Sequence, residues 1–352
     1  MELPFTILKS YYTPTNKEVS MTQQDVYREL SKKLMMEHSS ILPEIWNSIC
    51  SLEEAEIINA LPATAEDLAS RFAKPQEEMQ SLLENLYHRG VVFDYVRDGA
   101  THYRMPRHVV QFHDATILWD EAPQEMMDLW IEFGETDYPR LLELVTQIRM
   151  PAFMRVIPIN ETLATKNQVL AYEDALQLLE NASTIAVTTC VCRKLLKKCE
   201  NAIENCIQIN KGAEYNLKRG TGRAIGIEEA KQILKDAQAS GLVHLTENIG
   251  GKSNVICNCC TCCCEMLRFA TDSRTKGVLA PSRYRATVNE EDCTACEVCV
   301  DICPVGSISM SRGEVALVEA ETCIGCGLCA TLCPVAAISL IEVRSEEFIP
   351  MK

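Results

Sequence analysis

The chain has 352 residues, 47% of them apolar, with 19 cysteines and a net charge of −15. That length supports two or three domains with cores of their own, and the apolar share excludes wholesale disorder. The acidic balance argues against a nucleic-acid backbone as main partner, and no uninterrupted apolar run nears the roughly eighteen residues of a membrane span.

The opening residues, MELPFTILKSYYTPTNKE, lack the basic and apolar regions of a secretory signal. A cytoplasmic location is therefore expected, where clustered cysteines point to metal rather than to disulfides. The charge is uneven. Residues 1–189 carry 15 basic against 29 acidic side chains, residues 190–270 carry 12 against 8, and residues 281–352 carry 5 against 11. The one basic stretch also holds the middle cysteines, whose thiolates nearby cations would stabilise.

In chain order, a helical pattern runs from about Thr22 to Met36. Ser51 with Glu54, and Thr64 with Asp67, read as helix starts. Pro75 opens a third helix, EEMQSLLENLYH, which Gly90 terminates. VVFDYVR and ATHYRM then flank Asp98-Gly99, a hairpin signal. This order of three helices and a hairpin, over residues 41–106, resembles a winged helix-turn-helix domain. The third helix would expose Glu77, Glu78, Gln80, Ser81 and Glu84, and its carboxylates oppose phosphate. A docking or scaffolding role is expected in place of DNA binding.

Residues 116–185 read as mainly helical, broken by prolines. AFMRVIPI and TIAVTT suggest strands, and NQVLAYEDALQLLENA an amphipathic helix. IEEAKQILKDAQAS is a further helix ending at Gly241, and the strand-like LVHLTEN follows. SRTKGVLAPSRYR reads as a linker. The expected fold class is multidomain α+β: residues 1–115 helical and winged-helix-like, 116–280 a cysteine-rich α/β domain, and 281–352 a dicluster ferredoxin fold.

Two runs decide the last region. Cys293, Cys296, Cys299 and Cys303 lie in CTACEVCVDICP, and Cys323, Cys326, Cys329 and Cys333 lie in CIGCGLCATLCP. Both follow the bacterial-type pattern C-x₂-C-x₂-C-x₃-C-P, in which the fourth cysteine serves the neighbouring cluster. Over residues 284–343 the chain thus resembles the bacterial ferredoxins with two [4Fe-4S] clusters. The resemblance implies cluster one on Cys293, Cys296, Cys299 and Cys333, and cluster two on Cys303, Cys323, Cys326 and Cys329. VGSISM and AAISLIEV would be the short strands after each proline.

Ten further cysteines fall in two blocks: Cys190, Cys192, Cys199 and Cys206, then Cys257, Cys259, Cys260, Cys262, Cys263 and Cys264 in CNCCTCCC. Arg193, Lys194, Lys197 and Lys198 adjoin the first block and could offset its charge. Neighbouring cysteines point in different directions, so the second block suits two sites better than one. A C-x-C-R block, a CNCC-x-CCC block and a dicluster ferredoxin together, over residues 150–343, resemble electron-transferring polyferredoxins of anaerobic bacteria. One or two more iron–sulfur clusters are expected on these ten cysteines; the alternatives are a zinc site or buried free thiols. Cys50, alone, reads as a buried structural thiol.

Gly220, Gly222 and Gly226 in RGTGRAIG miss the dinucleotide spacing and read as a turn. His244 and Arg223 could line the cysteine-rich site or simply pack. The expectation is an electron-transfer component of an oxidoreductase complex rather than a stand-alone catalyst, docking to a redox protein partner. The rivals are a redox-sensing regulator acting through the winged helix, and an enzyme with a site-differentiated cluster in the middle domain.

Overall fold

The computed structural model describes residues 23–158 and 174–351, apart from 273, 276 and 313. Its contacts divide the chain into two units: described residues up to 87 with 91–112, and residues 88–90 with 113–351.

The first unit runs α1 (Gln23–Lys33), α2 (Leu42–Ile49), α3 (Leu52–Asn59), β1 (Ala63–Thr64), α4 (Ala65–Arg71), α5 (Gln76–Arg89), β2 (Phe93–Arg97) and β3 (Ala100–Arg104). Helices α3 and α4 begin with complete capping boxes, Ser51 with Glu54 and Thr64 with Asp67. Asp98 and Gly99 take φ of 52° and 78°, the left-handed pair that a two-residue hairpin between β2 and β3 requires. Strand β3 also pairs with β1, giving the order β1-β3-β2. Helix α5 buries Met79, Leu83, Leu86 and Tyr87 and leaves Glu77, Glu78, Ser81 and Glu84 exposed. Cys50 is buried, and the Tyr27 hydroxyl donates to its carbonyl at 2.8 Å.

The second unit begins within α6 (Val109–Ile117) and continues through α7 (Gln124–Glu135), α8 (Asp137–Gln147), β4 (Met154–Val156), α9 (Ala175–Glu180), β5 (Ile185–Thr189), α10 (Val191–Leu196), β6 (Glu204–Ile209), α11 (Lys211–Arg219), β7 (Gly222–Ala224), α12 (Ile227–Ala239), β8 (Val243–Glu247), β9 (Val255–Cys259) and β10 (Leu279–Ala280). Its strands form one sheet, ordered β10-β4-β8-β9-β6-β5-β7, antiparallel except for β10 beside β4. The first part of the helix expected over 167–182 lies outside the described residues; the rest is α9.

Alternation along the strands gives the sheet two different faces. Ile157, Ile207, Ile209 and Ile256 point to one side and pack with Leu178 and Leu179 of α9 and Ala230 and Leu234 of α12. Met154, Val156, Val243, Leu245 and Cys259 point to the other, with Leu279 beside Met154, and Leu267 and Leu328 cover them. Leu328 belongs to the last stretch of chain, β11 (Tyr284–Val288), α13 (Val298–Asp301), β12 (Ile308–Ser311), β13 (Val315–Val318), α14 (Leu328–Leu332) and β14 (Ile338–Glu342). There β11 pairs with β14 and β12 with β13, all antiparallel.

The segment read as a linker is packed instead. Thr275, Leu279, Ala280, Ser282 and Arg283 are all buried. The charge that marked it as solvent-facing is neutralised inside: Arg283 donates to the Glu342 carboxylate at 2.9 Å and to the Arg344 carbonyl at 3.0 Å. Among the described residues no helix is long and apolar enough to cross a membrane.

Candidate iron–sulfur sites

Each C-x₂-C-x₂-C run forms a loop ending in a one-turn helix, α13 or α14, and the fourth cysteine follows that helix. Both loops need left-handed backbone at the same two positions. Ala295 and Glu297 take φ of 56° and 62°, and Gly325 and Gly327 take 66° and 84°. Sequence reading missed this constraint; the glycines of CIGCGLC were its only visible sign. The fourth thiols are held alike: Cys303 accepts from the Ser307 backbone N–H at 3.2 Å, and Cys333 from that of Ala337 at 3.3 Å.

The thiols gather crosswise. Cys293, Cys296, Cys299 and Cys333 line one small cavity, with Val298, Met310 and Ile338. Cys303, Cys323, Cys326 and Cys329 line a second, with Ile308, Ile324 and Leu340. Four thiols around an apolar hollow form a donor set that fits a [4Fe-4S] cluster. The two cavities differ in surroundings. The first set has one exposed thiol, Cys296, and one buried, Cys299, whereas the second has none exposed and two buried, Cys323 and Cys329. Burial pushes the Cys326 thiol up to about 12.

A 4Fe-4S binding domain matches residues 286–309 and 316–339. No curated protein and no solved structure matches the chain. Residues 286–339 thus carry a 4Fe-4S binding domain. This 4Fe-4S domain is seated on the sheet through the side chains around its second cavity. Ser282, just after β10, donates from its backbone N–H to the Ile324 carbonyl at 3.0 Å and from its hydroxyl to the Gly325 carbonyl at 2.7 Å. A Cβ at Gly325 would collide with the Ser282 hydroxyl and the Tyr284 backbone. Gly325→Ala is therefore expected to cost about 2–4 kcal/mol, from left-handed strain and overpacking together. Faster bleaching of the visible absorbance under an iron chelator checks it; an unchanged rate would show that the loop yields freely.

The ten middle cysteines divide by strand register. Cys206 and Cys257 face each other across β6 and β9, where Ile207 pairs with Ile256, and their sulfurs are 3.6 Å apart. Thiol contacts continue from Cys257 to Cys259, Cys264, Cys192 and Cys190. Thiol contacts with Cys206 and Cys259 hold the Cys257 thiol below its usual range. Cys206 and Cys257 thus sit inside β6 and β9, and Cys259 ends β9. The remaining four, Cys199, Cys260, Cys262 and Cys263, form a separate knot. CNCCTCCC therefore splits three and three.

Of the four neighbouring cations, Arg193 reaches the thiols. It is buried, with Nη1 3.6 Å from Cys260 Sγ and Nη2 donating to the Asn258 carbonyl at 3.0 Å and to Asn205. Lys194 donates to the Ile117 carbonyl, and Lys198 pairs with Glu135. His244 is buried on the face opposite Cys257 and Cys259, its Nδ1 2.6 Å from Asn258 Oδ1; burial lowers it to about 4, so it is neutral. Arg223 is half exposed and pairs with Glu204 and Glu229. Neither residue supplies a ligand to the thiol sets.

Proposed function

We propose that this chain relays electrons between a cluster held by the six-thiol set and a protein partner that docks at the first cavity of the 4Fe-4S domain. The observation that carries this reading is the shared apolar layer between the two sites. Cys257, Cys259 and Cys264 pack in one cluster with Ile302, Ile324, Cys326 and Leu328. The lining of the second cavity and the six-thiol set thus share one apolar cluster.

When bound, [4Fe-4S] clusters take up and release single electrons at potentials set by hydrogen bonds and exposure. On this chain Cys293, Cys296, Cys299 and Cys333 would hold one, Cys303, Cys323, Cys326 and Cys329 the second, and four of the six middle thiols a third. Exposed Cys296 lies beside Val298 and Val335, both about two-fifths exposed, which offer a partner a small apolar contact. Relay suits the sequence of environments, from the mostly buried six-thiol set to the exposed rim of the first cavity.

Anaerobically prepared protein is expected to contain about twelve iron and twelve acid-labile sulfide per chain, four for each cluster. Its reduced EPR spectrum should show magnetic coupling between the middle cluster and one in the 4Fe-4S domain. Eight irons, with the six middle thiols all open to alkylation, would sink the relay.

The regulator reading rests on the helix–hairpin order of the first unit. Glu77, Glu78 and Glu84 on the exposed side of α5 speak against it, since carboxylates repel phosphate. No retardation of duplex DNA is expected in an anaerobic gel-shift assay; salt-sensitive retardation would restore that reading.

A further inference from the structure

The knot of Cys199, Cys260, Cys262 and Cys263 differs in kind from the other thiol sets. Its four sulfur atoms all lie within 4.8 Å of one another. Cys199 is 3.8 Å from Cys260, and Cys262 is 3.8 Å from Cys263. A tetrahedral ion with metal–sulfur bonds of about 2.3 Å places its thiolates about 3.8 Å apart. A cubane instead takes each thiolate on a different iron, so its thiolates stand farther apart than those sharing one ion. The same chain supplies the comparison. Among the described residues, neither the eight thiols of the 4Fe-4S domain nor the six-thiol set contains three donors gathered this tightly.

The surroundings suit a thiolate site with no open position. Cys260 and Cys263 are buried beneath Ala237 and Leu242 at the end of α12. N–H donors point at the sulfurs: Arg193 at Cys260, the Asn201 side chain at Cys199 at 3.5 Å, and the Lys198 backbone at Cys263. Such donors offset the excess negative charge of four thiolates on one divalent ion.

We propose that Cys199, Cys260, Cys262 and Cys263 hold a single tetrahedral divalent ion, zinc or ferrous iron, apart from every iron–sulfur cluster of the chain. The ion ties the loop after α10 to the loop after β9. Those loops are continuous with Cys190 and Cys192 on one side and with Cys257, Cys259 and Cys264 on the other. The ion pins those two loops to each other and carries no electrons in the relay. Zinc binds a given thiolate site more tightly than ferrous iron does.

The test uses the full chain, purified anaerobically, with zinc, iron and acid-labile sulfide counted together. One zinc per chain, with four sulfur neighbours at about 2.3 Å by X-ray absorption, identifies the zinc form. One iron in excess of sulfide identifies the iron form; either result supports the one-ion site. Cys262→Ser should remove that one ion and leave the sulfide count unchanged. Loss of four irons with their sulfide in Cys262→Ser overturns the proposal. So does wild-type protein with neither four-sulfur zinc nor iron beyond sulfide, a measurement that needs no variant to fold. Eight cluster irons plus one zinc would retain this site while removing the third cluster, so the two readings can fail separately.

Discussion

A chain ending at Val278 is expected to lose the fold of the cysteine-rich sheet, and not only the two clusters of the 4Fe-4S domain. The truncation removes β10, the parallel neighbour of β4, and leaves β4 as an open edge. It also removes Leu279 and Leu328 and the partly buried Ile302, Ile324 and Cys326, which pack with Met154, Val156, Val243 and Leu245. At about 1.5–3 kcal/mol for each large apolar side chain returned to water, the loss is on the order of 5–10 kcal/mol. That is comparable to the whole stability of a typical domain, about 5–15 kcal/mol. The tail adds a further tie, since the Gly250 N–H donates to the Pro350 carbonyl at 2.7 Å and Gly250 bridges to Met351. Residues 1–278 should therefore aggregate or be rapidly proteolysed within 113–278, and should retain little iron. A monomeric fragment that resists protease across β4 to β9 and keeps its middle metal would show that the sheet stands without this cover.

That expectation reverses what the sequence suggests, and the reason is specific. SRTKGVLAPSRYR has the proline and charge of a linker, but Arg283 finds Glu342 only when β11 and β14 pair. No local pattern announces such a partner 59 residues away. The ferredoxin-type runs were legible because their spacing is set within a dozen residues by the loop that wraps a cluster. The capping boxes of α3 and α4 and the Asp98-Gly99 turn were legible for the same reason. Strands β6 and β9 were not. In ENCIQI and VICNC the cysteines stand where alternation would show apolar residues, so the motif hid the strand. The partition of the ten middle thiols was likewise out of reach, because it depends on Cys206 lying opposite Cys257, a register fixed by residues about 50 apart. The left-handed Ala295 and Glu297 carry no sequence signal of their own; their glycine counterparts do.

Cys303→Ala is expected to lose about four of twelve irons and to interrupt transfer to the partner. Cys303 follows α13, which is continuous with the loop of the first cavity, while its thiol lines the second. The alanine leaves the second cavity with three thiols and strips the Ser307 backbone N–H of its acceptor. Because Ser307 leads into β12, whose Ile308 is buried in the core of the 4Fe-4S domain, the disturbance should spread to the first cavity as a broadened EPR signal. The neighbouring Ile302 packs both in that core and beneath the sheet, yet it is unchanged, so the six-thiol set should keep its iron. The variant should then accept electrons at the middle site and pass them on poorly. Cys50→Ala, which removes a buried thiol belonging to no thiol set, serves as the control and should leave the iron count unchanged. Stopped-flow reduction followed by mixing with the native acceptor separates the two steps. If the Cys303→Ala protein has lost its second cluster but delivers electrons at the wild-type rate, that cluster lies off the path and the relay runs another way.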